Sequence, residues 1–416
     1  MRVCLVSTFP PTKCGVAHYC AKIERAMQKV GGCRFIILAD DAGDAESGAR
    51  NNGNLEIVNV WKRDTFLYPF KLFRSVVSEK PDVIHIQHEY FLYGKPLFSA
   101  LLPILLVLLR IIRKPVVITM HSVIPRKCLS SSFFEKYGSG KEFKAIKRIC
   151  VFLITFFIGV TVTKTIVHLE SARQTLIDDY KFRSAEVLVI PHGVDVFERK
   201  FDQHHAKLKL NLEGKRILLL FGLVRPGKGV DYAIKAMLDI LSKFPSAVLM
   251  IVGASHPYLG SGNCSYLDEM KELVHKLKLE KSVLFVSKFV PDQELPVYFI
   301  AADVIVLPYT ELDILGASGA LASLKSFEKP IIATRIRRFI GDINDGENGI
   351  LIQPSDSTSL ATAAILLLSN PKMSQKIGMQ LCNEAKNNCW ENVAQRTMSL
   401  YTGLISNRQL RNSCRE

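Results

Sequence analysis

The sequence predicts an α/β protein built from two doubly wound, parallel-sheet domains in succession. Three observations predict it. Short β-branched apolar runs alternate with longer helix-period stretches, the pattern of parallel βαβ units. The rhythm restarts at 216–221 (RILLLF) after a first series has closed near 190. Between the two series lies a polar stretch, 196–214 (VFERKFDQHHAKLKLNLEG), which reads as the connection. The 416 residues, 48% hydrophobic and 22% charged with 25 Gly and 18 Pro, exclude collagen-like, coiled-coil and disordered chains. A mass of 46.6 kDa exceeds what one hydrophobic core usually serves.

In order, the first series predicts strands at 2–7, 34–39, 55–60, 82–86, 115–119, 164–168 and 186–190. The second predicts them at 216–221, 247–252, 282–286, 303–307, 330–334 and 349–352. The domains follow as 1–200 and 201–390, then a helix over 391–407 and a loose tail over 408–416. No solenoid-length repeat or low-complexity tract interrupts them. In doubly wound sheets a ligand is expected at the carboxyl ends of the strands.

The net charge is +15, and about three-quarters of it falls in the first half of the chain. That excess points to an anionic partner such as a nucleotide, a phosphate or a membrane surface. Nucleic acid is the generic partner of a basic protein, but no aromatic-basic platform or recognition helix is present. The 10 cysteines are scattered, with no Cys-x-x-Cys pair for zinc or dithiol chemistry. They read as reduced thiols in a cytoplasmic protein, and the opening Val3-Cys4-Leu5-Val6 run is too short for a signal peptide.

Two segments test that reading. Residues 97–112 (LFSALLPILLVLLRII) and 149–163 (ICVFLITFFIGVTVT) are strongly apolar, yet each is shorter than the roughly 20 residues that span a bilayer. The first, with Pro103 inside it, reads as a buried helix on a sheet in preference to an interfacial helix pressed into headgroups. For the second, a basic lead over 141–148 beside Phe152, Phe156 and Phe157 makes peripheral contact with an anionic membrane surface an equal reading.

Chemistry concentrates in a few strand-end loops. Phe221-Gly222-Leu223-Val224-Arg225-Pro226-Gly227-Lys228-Gly229 joins a strand to a helix over 231–242 with Asp231 as its N-cap. Arg225 and Lys228 are cations suited to a phosphate. No Gly-Lys-Ser/Thr follows, so this is not a P-loop. A second loop leads to Ser318-Gly319-Ala320, where Ser318 caps a helix over 319–327 and the amides of Gly319 and Ala320 offer an anion site. In the first half, Thr12-Lys13-Cys14-Gly15-Val16 joins the first strand to the first helix without the Gly-x-Gly-x-x-Gly spacing of a dinucleotide site. His85 and His88 are three apart on a strand, hence on opposite faces and no chelating pair. His121 and His192 each follow a strand at its ligand-facing end.

With those motifs in order, the chain resembles the retaining glycosyltransferases of GT-B fold, glycosyltransferase family 4. The resemblance runs through KCGVAHY, VIHIQHEY, ITMHSV, IVHLESA, VIPHGVD, FGLVRPGKGVDYAIKA, IVGASHP, ADVIVLPY and DGENGILIQPSD. It implies two Rossmann-like domains facing a central cleft, the acceptor on the first and a nucleotide diphosphate sugar on the second. The last helix crosses back to the first domain. It implies transfer of a hexose to a glycan or lipid-linked acceptor with retention of anomeric configuration and no metal cofactor. By position it puts Arg225, Lys228, Ser318, Gly319 and Ala320 at the donor diphosphate. It also puts Gly15 near the phosphate from the opposite domain and His121 beside the transferred sugar.

One departure stands out. The family's two glutamates, separated by seven residues, correspond to Leu315 and Ser323, although Ser318-Gly319-Ala320-Leu321-Ala322 resembles a branch reading Ser-Gly-Val-Leu-Ala. Glu311 and Asp313 are the nearby acids that could compensate. Two rival readings accompany the enzyme: another GT-B chemistry, phosphorylase or epimerase, and a catalytically degenerate nucleotide-sugar-binding subunit.

Overall fold

A computed structural model describes residues 1–41, 50–90, 92–129, 144–197, 201–254, 266–310 and 314–413. The first sheet holds β1 (Arg2–Val6), β2 (Arg34–Asp40), β3 (Arg50–Asn52), β4 (Leu55–Trp61), β5 (Val83–His88), β6 (Val116–Met120), β7 (Lys164–Val167) and β8 (Val187–Val189). Their order is β3-β4-β2-β1-β5-β6-β7-β8, parallel except for β3, which pairs antiparallel with β4. The second sheet holds β9 (Arg216–Phe221), β10 (Ala247–Val252), β11 (Val283–Val286), β12 (Val304–Leu307), β13 (Ile331–Thr334) and β14 (Ile350–Ile352). Its order is β11-β10-β9-β12-β13-β14, all parallel.

The helices are α1 (Gly15–Val30), α2 (Tyr68–Glu79), α3 (Pro96–Ser99), α4 (Leu102–Ile111), α5 (Lys144–Thr161), α6 (Glu170–Tyr180) and α7 (Gln203–Lys209) in the first half and the connection. The remainder are α8 (Val230–Lys243), α9 (Tyr266–Lys276), α10 (Leu295–Ala301), α11 (Gly319–Leu324), α12 (Ser357–Ser369), α13 (Pro371–Lys386) and α14 (Trp390–Ser413). The thirteen strands read from the sequence are all present. The extra one, β3, is three residues at an antiparallel edge, too short to show periodicity. α14 runs on to Ser413, through much of the stretch expected to be loose.

Successive strand residues serve opposite faces, as the pleat requires. Val3, Leu5, Phe35 and Ile37 join Ile23 and Met27 of α1 with Val393 and Tyr401 of α14 in one core. Cys4, Val6, Ile36 and Leu38 face the other way, onto Leu72 of α2, Leu105 of α4, Ile154 of α5 and Leu176 of α6. Both faces are covered, which is why the strands read as unbroken apolar runs. α14 therefore follows the second sheet in sequence yet packs on the first.

The apolar segment expected to be a buried helix is α4, and it is buried on one side only. Leu102, Leu105, Leu106 and Leu109 point inward while Ile104, Val107 and Ile111 are exposed. Among the described residues no helix is long and apolar enough to cross a membrane. None of the eight described cysteines is in a disulfide.

Candidate functional site

Each sheet has one switch point, β1 beside β5 and β9 beside β12, where successive connections leave in opposite directions and open a crevice at the carboxyl ends. Nearly every residue singled out from the sequence emerges there. Gly15 opens α1 after β1, His121 follows β6 next to β5, the 222–229 loop follows β9, and the 314–318 segment follows β12.

The loop carrying Arg225 and Lys228 is fixed by backbone contact. Gly229 has φ 69°, and a Cβ there would lie 1.8 Å from the Pro308 carbonyl oxygen, so only glycine fits. The Thr310 amide donates to the Gly227 carbonyl at 3.0 Å, tying this loop to the end of β12. The Lys228 ammonium sits 3.7 Å above the Tyr309 ring centroid, a cation–π contact. Burial pushes the Tyr309 phenol up, but Lys228, with Ser318 and Arg338, more than offsets it, and the net position is below the ordinary value. Asp231 is not the N-cap expected of it: α8 begins at Val230 with left-handed Gly229 in the cap position. Asp231 lies inside the first turn, 3.4 Å from Lys235.

Ser318 does cap α11, its hydroxyl accepting from the Leu321 amide at 3.2 Å. Gly319 and Ala320 are the next two residues, so their amides have no partner within the helix. α11 is only six residues long, so those amides, not a macrodipole, are what it offers. A Cβ on Gly319 would approach His192 Nε2 at 4.0 Å, so the two strand-end loops meet. Cys14 caps α1 through its sulfur, and a Cβ on Gly15 would meet nothing within 4 Å, leaving that turn open to the cleft.

His121 lies in a cluster around the buried Tyr19 ring, with His168, His192 and Trp390 all at centroid distances of 4.7 to 5.2 Å. Both of its ring nitrogens face inside the lobe, Nε2 towards Gln87 Oε1 at 2.9 Å and Nδ1 towards His168 Nε2 at 3.4 Å. A carbonyl or amide oxygen can only accept, so His168 donates from Nδ1 to Ile190 at 2.8 Å and a neutral His121 donates from Nε2 to Gln87 Oε1. Burial drives His121 far below the usual imidazole range and His168 down to about 3, so both are neutral.

Two charged residues went unrecognised in the sequence. Arg338, after β13, reaches the Ala317 carbonyl at 3.4 Å and lies near Tyr309, adding a third cation beside Arg225 and Lys228. Its signal was the Arg335-Ile336-Arg337-Arg338 run at a strand's carboxyl end. Glu89, after β5, accepts from the Ser122 hydroxyl and, at 2.9 Å, from the Tyr90 amide. Burial pushes its carboxyl up, while Ser122, Tyr90 and then Arg338 and Arg225 of the opposite lobe pull it down. Glu311 and Asp313 lie outside the described residues. His85 and His88 face apart as expected. His85 bonds Thr119 at 2.7 Å and the Tyr401 hydroxyl, while His88 is buried against Tyr90 with no partner for either nitrogen among the described residues.

The lobes touch at the rim. Lys22 of α1 reaches Asp195 at 2.6 Å and Asp292 at 3.2 Å, and the His18 ring stacks on Phe289. Leu315, at the first of the two missing glutamate positions, is fully buried in the first lobe's core, bridged to Val123.

Comparison with known families decides the kinship. The model of Glycosyltransferase Family 4 matches residues 14–197, and that of Glycosyl transferases group 1 matches residues 201–381. The chain belongs to the group 1, family 4 glycosyltransferases. Its relatives within that family include the D-inositol 3-phosphate glycosyltransferase of Nocardia farcinica, 27% identical over 57% of this chain and 51% of that protein. Another is the GDP-mannose-dependent alpha-(1-6)-phosphatidylinositol monomannoside mannosyltransferase of Mycolicibacterium smegmatis, 24% identical over 54% of this chain and 59% of that protein. The chain thus spans about half the length of the curated relatives it matches. Among solved structures, Anabaena Alr3699/HepE in complex with UDP-glucose superposes with a TM-score of 0.73 at 16% identity, over 97% of this chain and 100% of the other. Sucrose-phosphate synthase from Thermosynechococcus elongatus gives 0.75 at 18%, over 98% and 100%. At such identities the likeness shows the fold, and the fold of this family 4 member is GT-B.

Proposed function

We propose that the protein is a retaining hexosyltransferase that uses a nucleotide diphosphate sugar and extends a glycan or lipid-linked acceptor. The observation that carries this is the convergence of Arg225, Lys228 and Arg338 beside the open amides of Gly319 and Ala320 at one switch point. The kinship supports it, and so do the named activities of the relatives. On this reading residues 201–390 hold the donor, residues 1–200 hold the acceptor, and 391–407 joins them.

Departure of the nucleoside diphosphate builds negative charge on the phosphate oxygen that leaves the anomeric carbon. Three fixed cations and two amide donors stabilise that charge where it develops. Because protein cations fill that role, the reaction proceeds without a divalent metal. The acceptor hydroxyl forms its bond to the anomeric carbon on the face the phosphate leaves, and its proton passes to the departing phosphate oxygen. Gly15, whose turn is open, lets the first lobe approach the diphosphate. His121 lines the sugar side. Its ring nitrogens both face into the lobe, so its contribution is shape and its main chain.

A panel of UDP-, GDP- and ADP-sugars with cell-envelope acceptor extracts, in EDTA, tests this. Product NMR showing the donor's anomeric configuration supports the reading. Sugar isomerisation without acceptor, or dependence on inorganic phosphate, points to the epimerase or phosphorylase alternatives instead. A second reading, a nucleotide-sugar-binding subunit without turnover, is favoured by one observation, the apolar Leu315 at an expected acid position. Tight donor binding with no product from any acceptor establishes it.

A further inference from the structure

Among the described residues, nine of the 21 exposed large apolar side chains lie on α2, α4 and α5. On α5, Ile149, Leu153, Phe156 and Val160 are exposed at spacings of four, three and four, one stripe of a helix whose opposite side is buried. Ile104 and Val107 extend the pattern on α4, and Phe70 on α2. The three helices lie side by side on the sheet, α4 packing against both neighbours. Arg110 at the end of α4 donates to the carbonyls of Val160 and Thr161, at 3.1 and 3.4 Å, which joins the ends of α4 and α5. The stripes are therefore one plane. α14 packs on the other face of the sheet, with α1, so it does not cover this one.

The charge on the plane has one sign. Lys71, Arg74, Arg110 and Arg148 are exposed along it, and the only acid on the three helices is Glu79, which is paired with Arg2 at 2.5 Å. We propose that this face docks on an anionic phospholipid bilayer, apolar side chains entering the acyl boundary and the cations meeting headgroup phosphates. A second copy of the chain fits less well, because a two-fold contact would set like charges against each other. The proposal stands apart from the transferase reading, but it bears on it. α2 and α5 follow β4 and β6, so they begin at the cleft end of the sheet, and a docked lobe would present its acceptor crevice beside the lipid surface.

Flotation of the full-length protein with vesicles of phosphatidylcholine alone, or of phosphatidylcholine with phosphatidylglycerol, tests it. The wild type is expected to float with the anionic vesicles at low salt and to be released as salt rises. Leu153→Glu with Phe156→Glu should weaken vesicle binding by about tenfold or more, since two buried apolar contacts are lost. Lys71→Glu with Arg74→Glu and Arg148→Glu should abolish the preference for anionic lipid. Both variants should keep the wild-type melting temperature and nucleotide affinity. Failure of the wild type to float, or flotation of both variants like the wild type, overturns the proposal. So does a sedimenting dimer that the first variant dissociates while no species binds vesicles.

Discussion

Val123 and Leu315 exchange two main-chain hydrogen bonds, 2.7 and 2.8 Å long, across the cleft. The contact is backed by close approach, since a Cβ on Gly316 would lie 2.3 Å from the His121 carbonyl oxygen. A segment of the second lobe is thus inserted as a strand-like plug into the first. It leads within three residues to Ser318 and the open amides of α11, so the lobe contact and the proposed phosphate cradle are one piece of chain.

Leu315→Glu, which restores the family's acid, is expected to lower stability by about 3 kcal/mol or more, because it buries a carboxylate among apolar side chains. Thermal unfolding with and without nucleotide measures this. A gain in donor binding with no loss of stability would contradict the assignment of Leu315 as a plug.

Lys228 holds the Tyr309 phenol below its ordinary range. Removing the ammonium in Lys228→Ala should therefore raise the pKa of that phenol, with only Ser318 and Arg338 left to oppose burial. Ultraviolet titration of tyrosinate, compared with Tyr309→Phe to assign the signal, checks the direction. An unchanged titration means that Lys228 does not rest on this ring in solution.

Burial pushes His85 and His168 down to about 3 and His192 down to about 4. A histidine depressed in the folded state is neutral there and protonated in the unfolded chain below about 6.5, so stability is lost as pH falls from there through the folded values. Each contributes about 1.4 kcal/mol per pH unit in that window. Glu24, pushed up to about 7 by burial, works in the opposite direction over part of it. The net expectation is a urea midpoint that drops between pH 6.5 and 5, more steeply than in a His168→Gln protein.

Gly193 belongs to the Val189-to-Asp195 motif that carries part of the family resemblance, yet its surroundings are a joint. A Cβ there would stand 2.3 Å from the Trp390 ring, and Asp195 accepts from the Trp390 indole at 3.0 Å while pairing with Lys22. Gly193→Ala should cost roughly 1–3 kcal/mol by overpacking. The effect should appear in the melting temperature, whereas nucleotide affinity should hardly move.

These residues show what the sequence made legible and what it did not. Strand periodicity and the restart at 216 are local properties, so the two sheets could be read directly, as could the Ser318 cap and the opposed faces of His85 and His88. The Leu315 plug could not, because an apolar residue in a loop carries no mark of the lobe it enters. Arg338 and Glu89 were passed over for a similar reason. Each looks like a solvated charge until the switch points set two distant strand ends opposite each other. Asp231 misled because Gly229, free to adopt a left-handed turn, starts the helix two residues earlier than a side-chain cap would.

The proposed transfer rests on a nucleoside diphosphate held by Arg225, Lys228 and Arg338. Calorimetric titration of UDP, GDP and ADP into the wild type, Arg225→Ala, Lys228→Ala and Arg338→Ala, each confirmed folded by its melting curve, tests it most directly. One nucleotide is expected to bind, and each substitution to weaken it by roughly ten- to a hundredfold, the loss of one charge-assisted contact. Undiminished affinity in both Arg225→Ala and Lys228→Ala would contradict it.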